Sequence, residues 1–415
     1  MGFEQLGLHE TITSTLVGLK YDEPTAVQQQ VIPEALSGND VLAGAQTGTG
    51  KTAAFVLPII HRLLQNPRST SSAVNVSALI LAPTRELAIQ VFKSVQAYSE
   101  NTAIQSTIVY GGVSIGAQVD ILKKGVDILV ATPGRLIDHL FKGTLDVSHL
   151  NTLILDEADR MLDMGFIDDI NIILKRLPKS RQTMLFSATL DDAIFKLSQT
   201  LLQQPKIIEV HDRNSVAAPV EQIVYNLDSD RKREFISYLI GSKNWHQVLV
   251  FTRTKQGADT LAKEMKKDGL VTESIHGDKS QGARERALED FKQGKARVLV
   301  ATDVAARGLD IRQLKYVINY ELPYIAEDYI HRIGRTGRAG EDGLAISLLA
   351  QEEQYLLEEI EVLLNTRLNQ QWYPGFEPDF TKAPVADKKN SKAAQKRRAK
   401  QRAMGKATGN KRRRT

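Results

Sequence analysis

The sequence contains no cysteine, which excludes disulfide bonds, cysteine-based zinc sites and thiol catalysis. It also lacks any apolar run near the ~18 residues that a membrane-spanning helix needs. Residues 1–5 show neither the basic nor the apolar part of a secretory signal, so we do not expect a signal peptide there. The absence of cysteine fits a reducing compartment, and together these absences predict a cytoplasmic protein without a membrane partner.

Charge is present but unevenly distributed along the 415 residues, of which 42% are hydrophobic and 25% charged. This composition is ordinary for globular proteins, and the length predicts two or three domains. The net charge is +5, yet residues 382–415 hold 14 Lys and Arg and one acid, so they carry +13 and residues 1–381 carry −8. Such a segment, here without an aromatic residue, indicates a disordered arm that binds nucleic acid through phosphates. A solubilising arm is the alternative.

A glycine-rich loop follows the apolar residues 40–44 and precedes a helical pattern. It reads Ala45-Gln46-Thr47-Gly48-Thr49-Gly50-Lys51-Thr52. The order of strand, loop and helix and the spacing match the phosphate-binding P-loop, with Ala at its first position. Glycines let backbone N–H groups face an anion, and the helix N-terminus adds its dipole. We therefore expect Lys51 to reach the outer phosphates of a nucleotide and Thr52 to hold Mg²⁺; a loop that merely turns the chain is the alternative.

Short apolar segments alternate with helical patterns in two series. The first series places strands at 78–81, 107–110, 128–131, 153–155, 184–186 and 207–210, and the second at 248–251, 272–275, 298–300, 316–319 and 345–348. Such segments are typical of parallel strands that are covered on both faces. The polar, proline-containing residues 211–219 separate the series. We therefore predict an α/β fold with domains at 1–210 and 220–370, a linker at 211–219 and a basic low-complexity tail at 371–415.

Carboxylates follow one of these strands directly. Asp156-Glu157-Ala158-Asp159 comes after residues 153–155, at the sheet edge where parallel α/β proteins bind ligands. Asp156 is the expected partner of Thr52 for Mg²⁺, partly through water, and Glu157 is the candidate general base for a water molecule. A charged helix start is the alternative, but a P-loop on the same sheet favours catalysis.

Asp-Glu-Ala-Asp gives the DEAD-box ATP-dependent RNA helicases their name, and the chain resembles that family along most of its length. The resemblance implies two RecA-like domains, with ATP and Mg²⁺ as cofactors. Residues 21–28 resemble the adenine-reading motif, in which an aromatic face stacks on adenine and a Gln amide pairs with its edge. Lys20 stands where the family often has Gly. The implied nucleotide-binding residues are Phe3, Tyr21, Thr25, Gln28, Ala45, Gln46, Thr47, Gly48, Thr49, Gly50, Lys51, Thr52, Asp156 and Asp310.

Further motifs that follow predicted strands resemble the RNA-contacting motifs of the family. Small residues, hydroxyls and N–H groups there can hold a sugar–phosphate backbone without reading bases. The implied contacts are Pro83, Thr84, Arg85, Gly111, Gly112, Thr132, Pro133, Gly134 and Arg135 in the first domain, and Arg253, Gly277 and Thr302 in the second. Taken singly, the first-domain motifs could equally be loops with helix caps.

Other motifs resemble those that couple hydrolysis to strand separation or complete the catalytic site. The implied coupling residues are Ser187, Thr189, Gln281, Arg284, Asp303 and His331, of which His331 could equally be structural. Arg335 and Arg338 are three residues apart and would share a face on a helix. Two guanidiniums suit a transferring phosphoryl group, although a basic patch on RNA phosphates is the alternative. The predicted catalytic residues are Lys51, Glu157, Arg335 and Arg338.

The resemblance implies an ATP-dependent RNA helicase that separates short duplexes locally and with little sequence preference. The implied partners are single-stranded RNA, short RNA duplexes and ribosomal or RNA-turnover assemblies, and we expect a monomer. The compact length and the basic arm resemble the bacterial RhlE-type subgroup. Two alternatives stay open: an ATP-gated RNA clamp or assembly scaffold with little unwinding, and a DNA helicase with the same two-domain logic.

Overall fold

The computed structural model describes residues 2–45, 48–66, 76–210, 220–306, 314–337, 343–379 and 381. These residues divide into two compact units, one up to residue 210 and one from residue 220 onward. The predicted linker at 211–219 and the basic residues 382–415 lie outside the described residues. None of the helices in the described ranges is long and apolar enough to cross a membrane.

The first unit is built on a parallel sheet, with seven strands among its described residues. They are β1 (Val41–Gly44), β2 (Ala78–Leu81), β3 (Ser106–Val109), β4 (Ile128–Ala131), β5 (Thr152–Leu155), β6 (Gln182–Ser187) and β7 (Lys206–Glu209). Their order across the sheet is β3-β4-β2-β5-β6-β1-β7. The inner strands are buried along their whole length, as expected for apolar strands covered on both faces, and the two edge strands are partly exposed.

Helices cover both faces of this sheet. They are α1 (Glu10–Gly18), α2 (Ala26–Leu36), α3 (Lys51–Gln65), α4 (Arg85–Tyr98), α5 (Ile115–Leu122), α6 (Pro133–Phe141), α7 (Ala158–Asp163), α8 (Ile167–Leu174) and α9 (Asp192–Leu201). Helices α1 to α4 pack on one face, where Phe55 and Phe186 lie 5.0 Å apart between ring centroids. Helices α5 to α9 supply the core on the other face. The sheet therefore lies between two helical layers.

The second unit repeats this plan in the part of the chain that the structure describes. Its strands are β8 (Val220–Asn226), β9 (Val248–Thr252), β10 (Thr272–Ile275), β11 (Val298–Thr302), β12 (Tyr316–Asn319), β13 (Gly343–Leu349) and β14 (Asn369–Gln371). They pair in parallel in the order β10-β11-β9-β12-β13-β8-β14. Its helices are α10 (Lys232–Ser242), α11 (Lys255–Lys267), α12 (Gln281–Lys292), α13 (Asp303–Ala306), α14 (Ala326–Ile333) and α15 (Gln354–Leu364). The predicted α/β fold with parallel sheets is thus confirmed.

The structure corrects the predicted start of the tail. Gln371 belongs to β14, which pairs with β8, and neither strand was among the predicted ones. The aromatic residues that follow pack on α10, where the ring of Phe376 lies 5.1 Å from that of Phe235. The proline and glycine at 374 and 375 therefore mark a turn within the second unit. Both missed strands are edge-proximal and partly polar, so they lack the apolar signal that marks the inner strands.

Parallel strands bring the sequence motifs to one edge of each sheet. In the first unit, the neighbouring strands β3, β4 and β2 carry the predicted RNA motifs at their carboxyl ends, and the neighbours β5, β6 and β1 carry the nucleotide motifs. The ladder continues past the strand ends: Asp156 N donates to Leu81 O at 3.0 Å and Thr132 N to Val109 O at 3.1 Å. Each motif therefore leaves the sheet from a hydrogen-bonded base.

Candidate functional site

The P-loop ends on the first turn of α3. Gly50 is the N-cap of this helix with φ 93°, a left-handed conformation that favours glycine, and Lys51 and Thr52 open the helix. The Lys51 side chain is buried, at 6% exposure, and its Nζ has no hydrogen-bond partner among the described residues. Gln46 and Thr47 lie outside those residues. A buried ammonium at a helix N-terminus is the arrangement that an anionic phosphate group satisfies.

The carboxylates after β5 lie in the same buried environment. Burial raises the pKa of Asp156 to about 7, and Lys51, the next largest influence, opposes that rise. One carboxylate oxygen of Asp156 is buried without a hydrogen bond to any described residue. Glu157 is also buried, and its φ of 53° is a left-handed backbone conformation. Residues other than glycine rarely adopt it, and those that do are often found at functional sites.

These residues fit Mg²⁺ and the phosphates of ATP. Lys51 Nζ and Asp156 Oδ1 are opposite charges that are withdrawn from water and lack hydrogen bonds within the described ranges. Such atoms are costly to bury unless a ligand satisfies them. Thr52 and Asp156 would hold Mg²⁺, which prefers hydroxyl and carboxylate oxygens, and Lys51 would bind phosphate oxygens. Of the predicted triphosphate residues, Lys51 and Asp156 lie close enough to interact electrostatically, and binding by the whole set stays a prediction.

The predicted adenine motif is joined to the P-loop. Gln28 Oε1 accepts from Thr25 N at 2.9 Å, and Gln28 Nε2 donates to Gly50 O at 3.1 Å. A Cβ on Gly50 would lie 3.0 Å from Thr25 Oγ1 and closer still to the Gln28 amide. Gly50 is therefore needed both for its backbone conformation and for the space that Gln28 fills. In this arrangement the Gln28 amide bonds protein backbone, so pairing with adenine stays a prediction.

The aromatic part of that motif forms a chain of three rings. Phe3 contacts Tyr21 edge-on at 6.3 Å between centroids, and Tyr21 contacts Tyr98 edge-on at 5.9 Å. The two tyrosine hydroxyls are 2.8 Å apart and form a hydrogen bond. Lys20, which precedes Tyr21, adopts φ 60°, so this turn uses the conformation for which Gly is the usual choice. Phe3 thus acts in the structure as a buried support for Tyr21.

The loop after β6 connects the carboxylates with the P-loop. Ala188 N donates to Asp159 Oδ2 at 3.3 Å, and Ala45 N donates to Ser187 O at 2.9 Å. Thr189 N donates to Ser187 Oγ at 3.3 Å. Burial raises the pKa of Asp159 as well, and the neighbouring Arg160 opposes this. The loop at Ser187 and Thr189 therefore connects Asp159 with the P-loop strand, and its role in coupling hydrolysis to strand separation stays a prediction. Asp159 was not among the predicted site residues.

Arg85 lies directly against the glycine pair that follows β3. A Cβ added to Gly112 would be 2.5 Å from Arg85 Cζ, and Gly112 has φ 83°. Gly111 is also close, because its Cβ would be 3.7 Å from Arg85 Nη2. Thr84 Oγ1 accepts from Leu87 N at 3.3 Å, so this hydroxyl caps α4 as the structural alternative predicted. The structure brings the Arg85 guanidinium and both glycines together.

The motif after β4 opens helix α6. Thr132 is the N-cap residue of α6, but its side chain makes no capping hydrogen bond. Pro133 is the first residue of the helix, and Gly134 is exposed. The Arg135 guanidinium turns back to the loop after β3, where Nη1 and Nη2 donate to Val113 O at 3.1 and 3.0 Å. Arg135 also forms an ion pair with Asp138 at 3.3 Å. In this structure Arg135 joins two predicted RNA motifs, so a direct phosphate contact stays a prediction.

In the second unit, Arg253 follows β9 and is largely enclosed. Its Nη2 pairs with Glu353 at 2.7 Å and with Glu321 at 3.3 Å, and the guanidinium lies 4.7 Å from the Tyr324 ring centroid. These carboxylates raise the pKa of Arg253 against the opposing effect of burial, which is the largest single influence. The structure thus gives Arg253 a bracing role at the carboxyl edge, and its RNA contact is untested.

Four other predicted residues lie in the segments that follow or end strands β10 and β11 of the second sheet. Thr302 is buried at the end of β11. Gly277 follows β10, and its Cβ would lie 3.6 Å from Lys255 Cε, with Lys255 paired to Asp278. At the start of α12, Gln281 Nε2 donates to Glu285 Oε1 at 2.9 Å. Arg284 on the same helix is buried.

Sequence reasoning missed Arg332, which is the largest fully buried side chain of the described residues. Its guanidinium forms a two-point ion pair with Asp303, with Nε–Oδ1 2.6 Å and Nη2–Oδ2 2.8 Å. It also donates to Asn319 Oδ1 at 3.1 Å and lies 5.1 Å from the Phe251 ring centroid. Arg332 therefore fixes α14 to the ends of β9, β11 and β12. Its sequence signal was its place in the motif His331 to Arg338, in which only His331, Arg335 and Arg338 were given roles.

Arg335 lies beyond α14, which ends at Ile333 with Gly334 as its C-cap. Arg335 is therefore not on a helix, because Gly334 ends α14 and Thr336 pairs with Leu314 as an isolated bridge, and its relation to Arg338 stays a prediction. Arg335 N donates to Arg332 O at 3.2 Å, so the buried arginine positions the half-exposed one. His331 is half-exposed, and Arg338 and Asp310 lie outside the described residues.

Comparisons with known proteins agree with this geometry. Residues 25–197 match the family model "DEAD/DEAH box helicase", and residues 231–340 match "Helicase conserved C-terminal domain". The ATP-dependent RNA helicase CshA of Listeria monocytogenes is 43% identical over 378 residues, covering 91% of this chain and 72% of the relative. The DEAD-box ATP-dependent RNA helicase CshA of Bacillus subtilis is 39% identical over 372 residues, covering 90% and 74%.

Solved structures of two similar proteins contain RNA. Dbp5 of S. cerevisiae bound to RNA and ADP BeF3 has a TM-score of 0.78 and 30% identity, covering 89% of this chain and 95% of that one. The DEAD-box helicase Mss116 bound to ssRNA and UDP-BeF has a TM-score of 0.80 and 31% identity, covering 91% and 80%. Both likenesses extend over the two units described above.

Proposed function

Because the chain belongs to the DEAD-box ATP-dependent RNA helicases, we propose that it separates short RNA duplexes locally and with little sequence preference. It is an RNA-dependent ATPase with two RecA-like domains, and it uses ATP with Mg²⁺. One observation supports the proposed division of labour. At the same edge of the first sheet, three neighbouring strands (β3, β4, β2) carry the RNA motifs and the next three (β5, β6, β1) carry the nucleotide motifs, so the two sets meet between β2 and β5.

We assign the catalytic roles as follows. Lys51 binds the outer phosphates, and Thr52 and Asp156 hold Mg²⁺. Glu157 accepts a proton from the attacking water, which requires an ionised carboxylate at the buried end of β5. Arg335 neutralises charge on the transferring phosphoryl group, and Arg338 is proposed for the same role. Lys51 Nζ and Asp156 Oδ1, which are buried without a hydrogen-bond partner among the described residues, support this assignment.

The RNA contacts are proposed to be mostly to the sugar–phosphate backbone. The small and hydroxyl residues of the first-unit motifs suit that contact, and Arg85 beside the glycine pair supplies a cation. Contacts to 2′-hydroxyls would favour RNA over DNA. Dbp5 and Mss116 were solved with RNA, which supports an RNA-binding face in this chain.

The decisive experiment measures ATP hydrolysis with RNA and DNA of matched sequence, together with displacement of a short RNA duplex. We expect stimulation by RNA, little stimulation by DNA, and ATP-dependent displacement. Stimulation by RNA without displacement would favour the clamp or scaffold function. Equal stimulation by DNA would refute the proposed RNA preference.

Two variants test the catalytic roles within that assay. Glu157→Gln should bind ATP and RNA yet turn over slowly, and rapid turnover would remove Glu157 from the base role. Arg335→Ala should lose roughly 10³–10⁵-fold in rate with ATP binding mostly kept. Arg286 is an exposed arginine of α12 in the same unit, so Arg286→Ala serves as a matched control and should behave like the parent.

We further propose a monomer that acts in the cytoplasm during ribosome assembly or RNA turnover. The CshA relatives support the RNA helicase function but not the RhlE-type subgroup, which is unconfirmed. Residues 382–415 are proposed to tether RNA through phosphates. Deleting them should weaken RNA affinity and flatten its salt dependence, and an unchanged salt slope would favour a solubilising arm.

A further inference from the structure

A buried glutamine joins the two RNA motifs that follow β3 and β4. Gln118 lies on α5 and belongs to none of the motifs named above. Its Nε2 donates to Tyr110 O at 3.0 Å, at the residue that precedes the glycine pair. Its Oε1 lies 3.1 Å from Arg135 Nη1 and 3.1 Å from His139 Nε2. One amide group therefore contacts the loop after β3 and helix α6 at once.

The direction of each hydrogen bond in this cluster can be assigned. Because the Gln118 amide nitrogen donates to a carbonyl, its oxygen faces the two ring and guanidinium nitrogens and must accept from both. His139 Nε2 therefore carries a proton. His139 is fully buried, and burial, followed by nearby Arg135, lowers its pKa, so the ring stays neutral. Its Nδ1 must then accept a hydrogen bond.

Thr144 supplies that hydrogen bond. Its Oγ1 lies 2.8 Å from His139 Nδ1 and 3.2 Å from His139 O, so the ring nitrogen is the nearer acceptor. The chain of bonds runs from the Thr144 hydroxyl through the imidazole to the Gln118 oxygen. This chain of bonds allows the Gln118 amide one orientation. If the amide were flipped, its NH₂ group would face the N–H donors of Arg135 and His139, and no acceptor would be present.

We propose that Gln118 is a positioning residue for RNA binding, held in place by His139 and Thr144. It fixes the spacing between the turn at Tyr110 and the start of α6, and Arg135 reinforces this through its two bonds to Val113 O. This inference rests on the proposed RNA contacts of Gly111, Gly112 and the α6 N-terminus. Gln118 acts through those segments and touches no RNA itself.

The test compares Gln118→Met with Gln182→Met. Gln182 is also buried in the first unit, and its Nε2 donates to Ala35 O at 3.0 Å and to Asn39 O at 2.6 Å. It lies at the amino end of β6, on the sheet edge opposite the motifs. Both variants remove a buried amide of the same size, so both should lower the melting temperature, but only one should affect RNA.

RNA-stimulated ATP hydrolysis distinguishes the two variants, because it gives the RNA dependence and the KM for ATP separately. Gln118→Met should raise the RNA concentration for half-maximal stimulation roughly tenfold, with the KM for ATP and the maximal rate within about twofold of the parent. Gln182→Met should leave the RNA dependence unchanged. Equal RNA dependence in the two variants, or a parallel rise in the KM for ATP with Gln118→Met, would overturn the proposal.

A second measurement does not depend on RNA or on the stability of Gln118→Met. Nitrogen-15 NMR of the parent should show His139 neutral, protonated at Nε2 and unprotonated at Nδ1, and Thr144→Val should change that spectrum. In the separate ATPase assay, Thr144→Val should raise the RNA concentration for half-maximal stimulation by a smaller factor than Gln118→Met does. A proton on Nδ1 in the parent would overturn the positioning scheme. If RNA failed to stimulate the parent enzyme, both the proposed function and this inference would fall, whereas a stimulated parent with an unaffected Gln118→Met would refute only the inference.

Discussion

Replacing Gly112 with alanine should separate the RNA function of the first unit from its stability. The added Cβ would lie 2.5 Å from Arg85 Cζ and 2.7 Å from Arg85 Nη2, distances that real Cβ atoms do not show. Since ordinary contact begins near 3.4 Å, the guanidinium must move by about an ångström. The substitution therefore displaces the cation that we propose for phosphate binding and leaves the nucleotide motifs untouched.

The expected magnitude has two parts. An alanine at φ 83° adds about 1–2 kcal/mol of backbone strain, which lowers the free energy of unfolding. Loss of a charge-assisted hydrogen bond to phosphate costs about 1.5–3 kcal/mol. The second part corresponds to a rise of roughly ten- to a hundredfold in the RNA concentration for half-maximal ATPase stimulation. The KM for ATP should stay close to that of the parent.

Gly38→Ala is the control that isolates backbone strain. Gly38 has φ 86°, close to the value at Gly112, and an added Cβ there meets nothing within 4 Å. It lies in the turn before β1, on the edge of the sheet away from the motifs. Both variants should lose similar stability in urea unfolding, and only Gly112→Ala should lose RNA stimulation. If the two variants showed the same RNA dependence, the proposed contact between Arg85 and RNA would be refuted.

Three further predictions concern the nucleotide site, the second unit and pH. Gly50→Ala should raise the KM for ATP at least about tenfold, because its Cβ would displace the glutamine of the adenine motif, whereas Gly38→Ala should leave that KM unchanged. Lys232→Met removes one of the two cations that pair with buried Glu353 and should lower the free energy of unfolding of the second unit by about 1–3 kcal/mol, because Arg253 still pairs with Glu353. Unfolding is followed by the fluorescence of the two tryptophans, which both belong to that unit. Replacing neighbouring Arg233, which forms an exposed ion pair with Asp268, should cost under about 1 kcal/mol. Because the pKa of His139 is lowered in the folded protein, the unfolded chain binds more protons below pH 6.5. The free energy of unfolding, measured in urea at a series of pH values, should therefore fall as pH drops from 6.5 toward the lowered pKa. His139→Gln should make this fall with pH less steep.

Some strands that consist of continuous apolar residues were predicted to the residue, among them those at 78–81 and 128–131. The strand at 272–275 and the helix at 255–267 agree with the structure residue for residue. Among the other predicted strands, 316–319 agrees as well, and 107–110 and 207–210 are shifted by one residue. Five are one to three residues short, mostly where polar or small residues at a strand end carry no strand signal. The strands β8 and β14 were missed because both are partly exposed and partly polar, and such strands depend on their neighbours more than on their own composition.

Side-chain roles were harder to predict than positions. Arg332 and Arg335 belong to one short segment and look equivalent in the sequence, yet the first is fully buried against Asp303 and the second is half-exposed. Gln118 and His139 carry no motif at all, because their contacts come from a loop and two helices that only the sheet order brings together. A linear pattern identifies what a segment can bind, but burial decides which of its side chains face the ligand.

The sheet order also limits how nucleotide and RNA binding can influence each other in the first unit. The segments around Thr84 and Asp156 leave neighbouring strands, and Asp156 N is bonded to Leu81 O, three residues before Thr84. A movement of the segment at Asp156 can therefore reach the segment at Thr84 directly through this hydrogen bond, without displacing other strands of the sheet. Variants far to the β3 side should therefore alter RNA dependence alone, and variants on the β1 side should alter ATP dependence alone. Residues at the junction of β2 and β5 are the ones whose substitution should change both, since they belong to both surfaces.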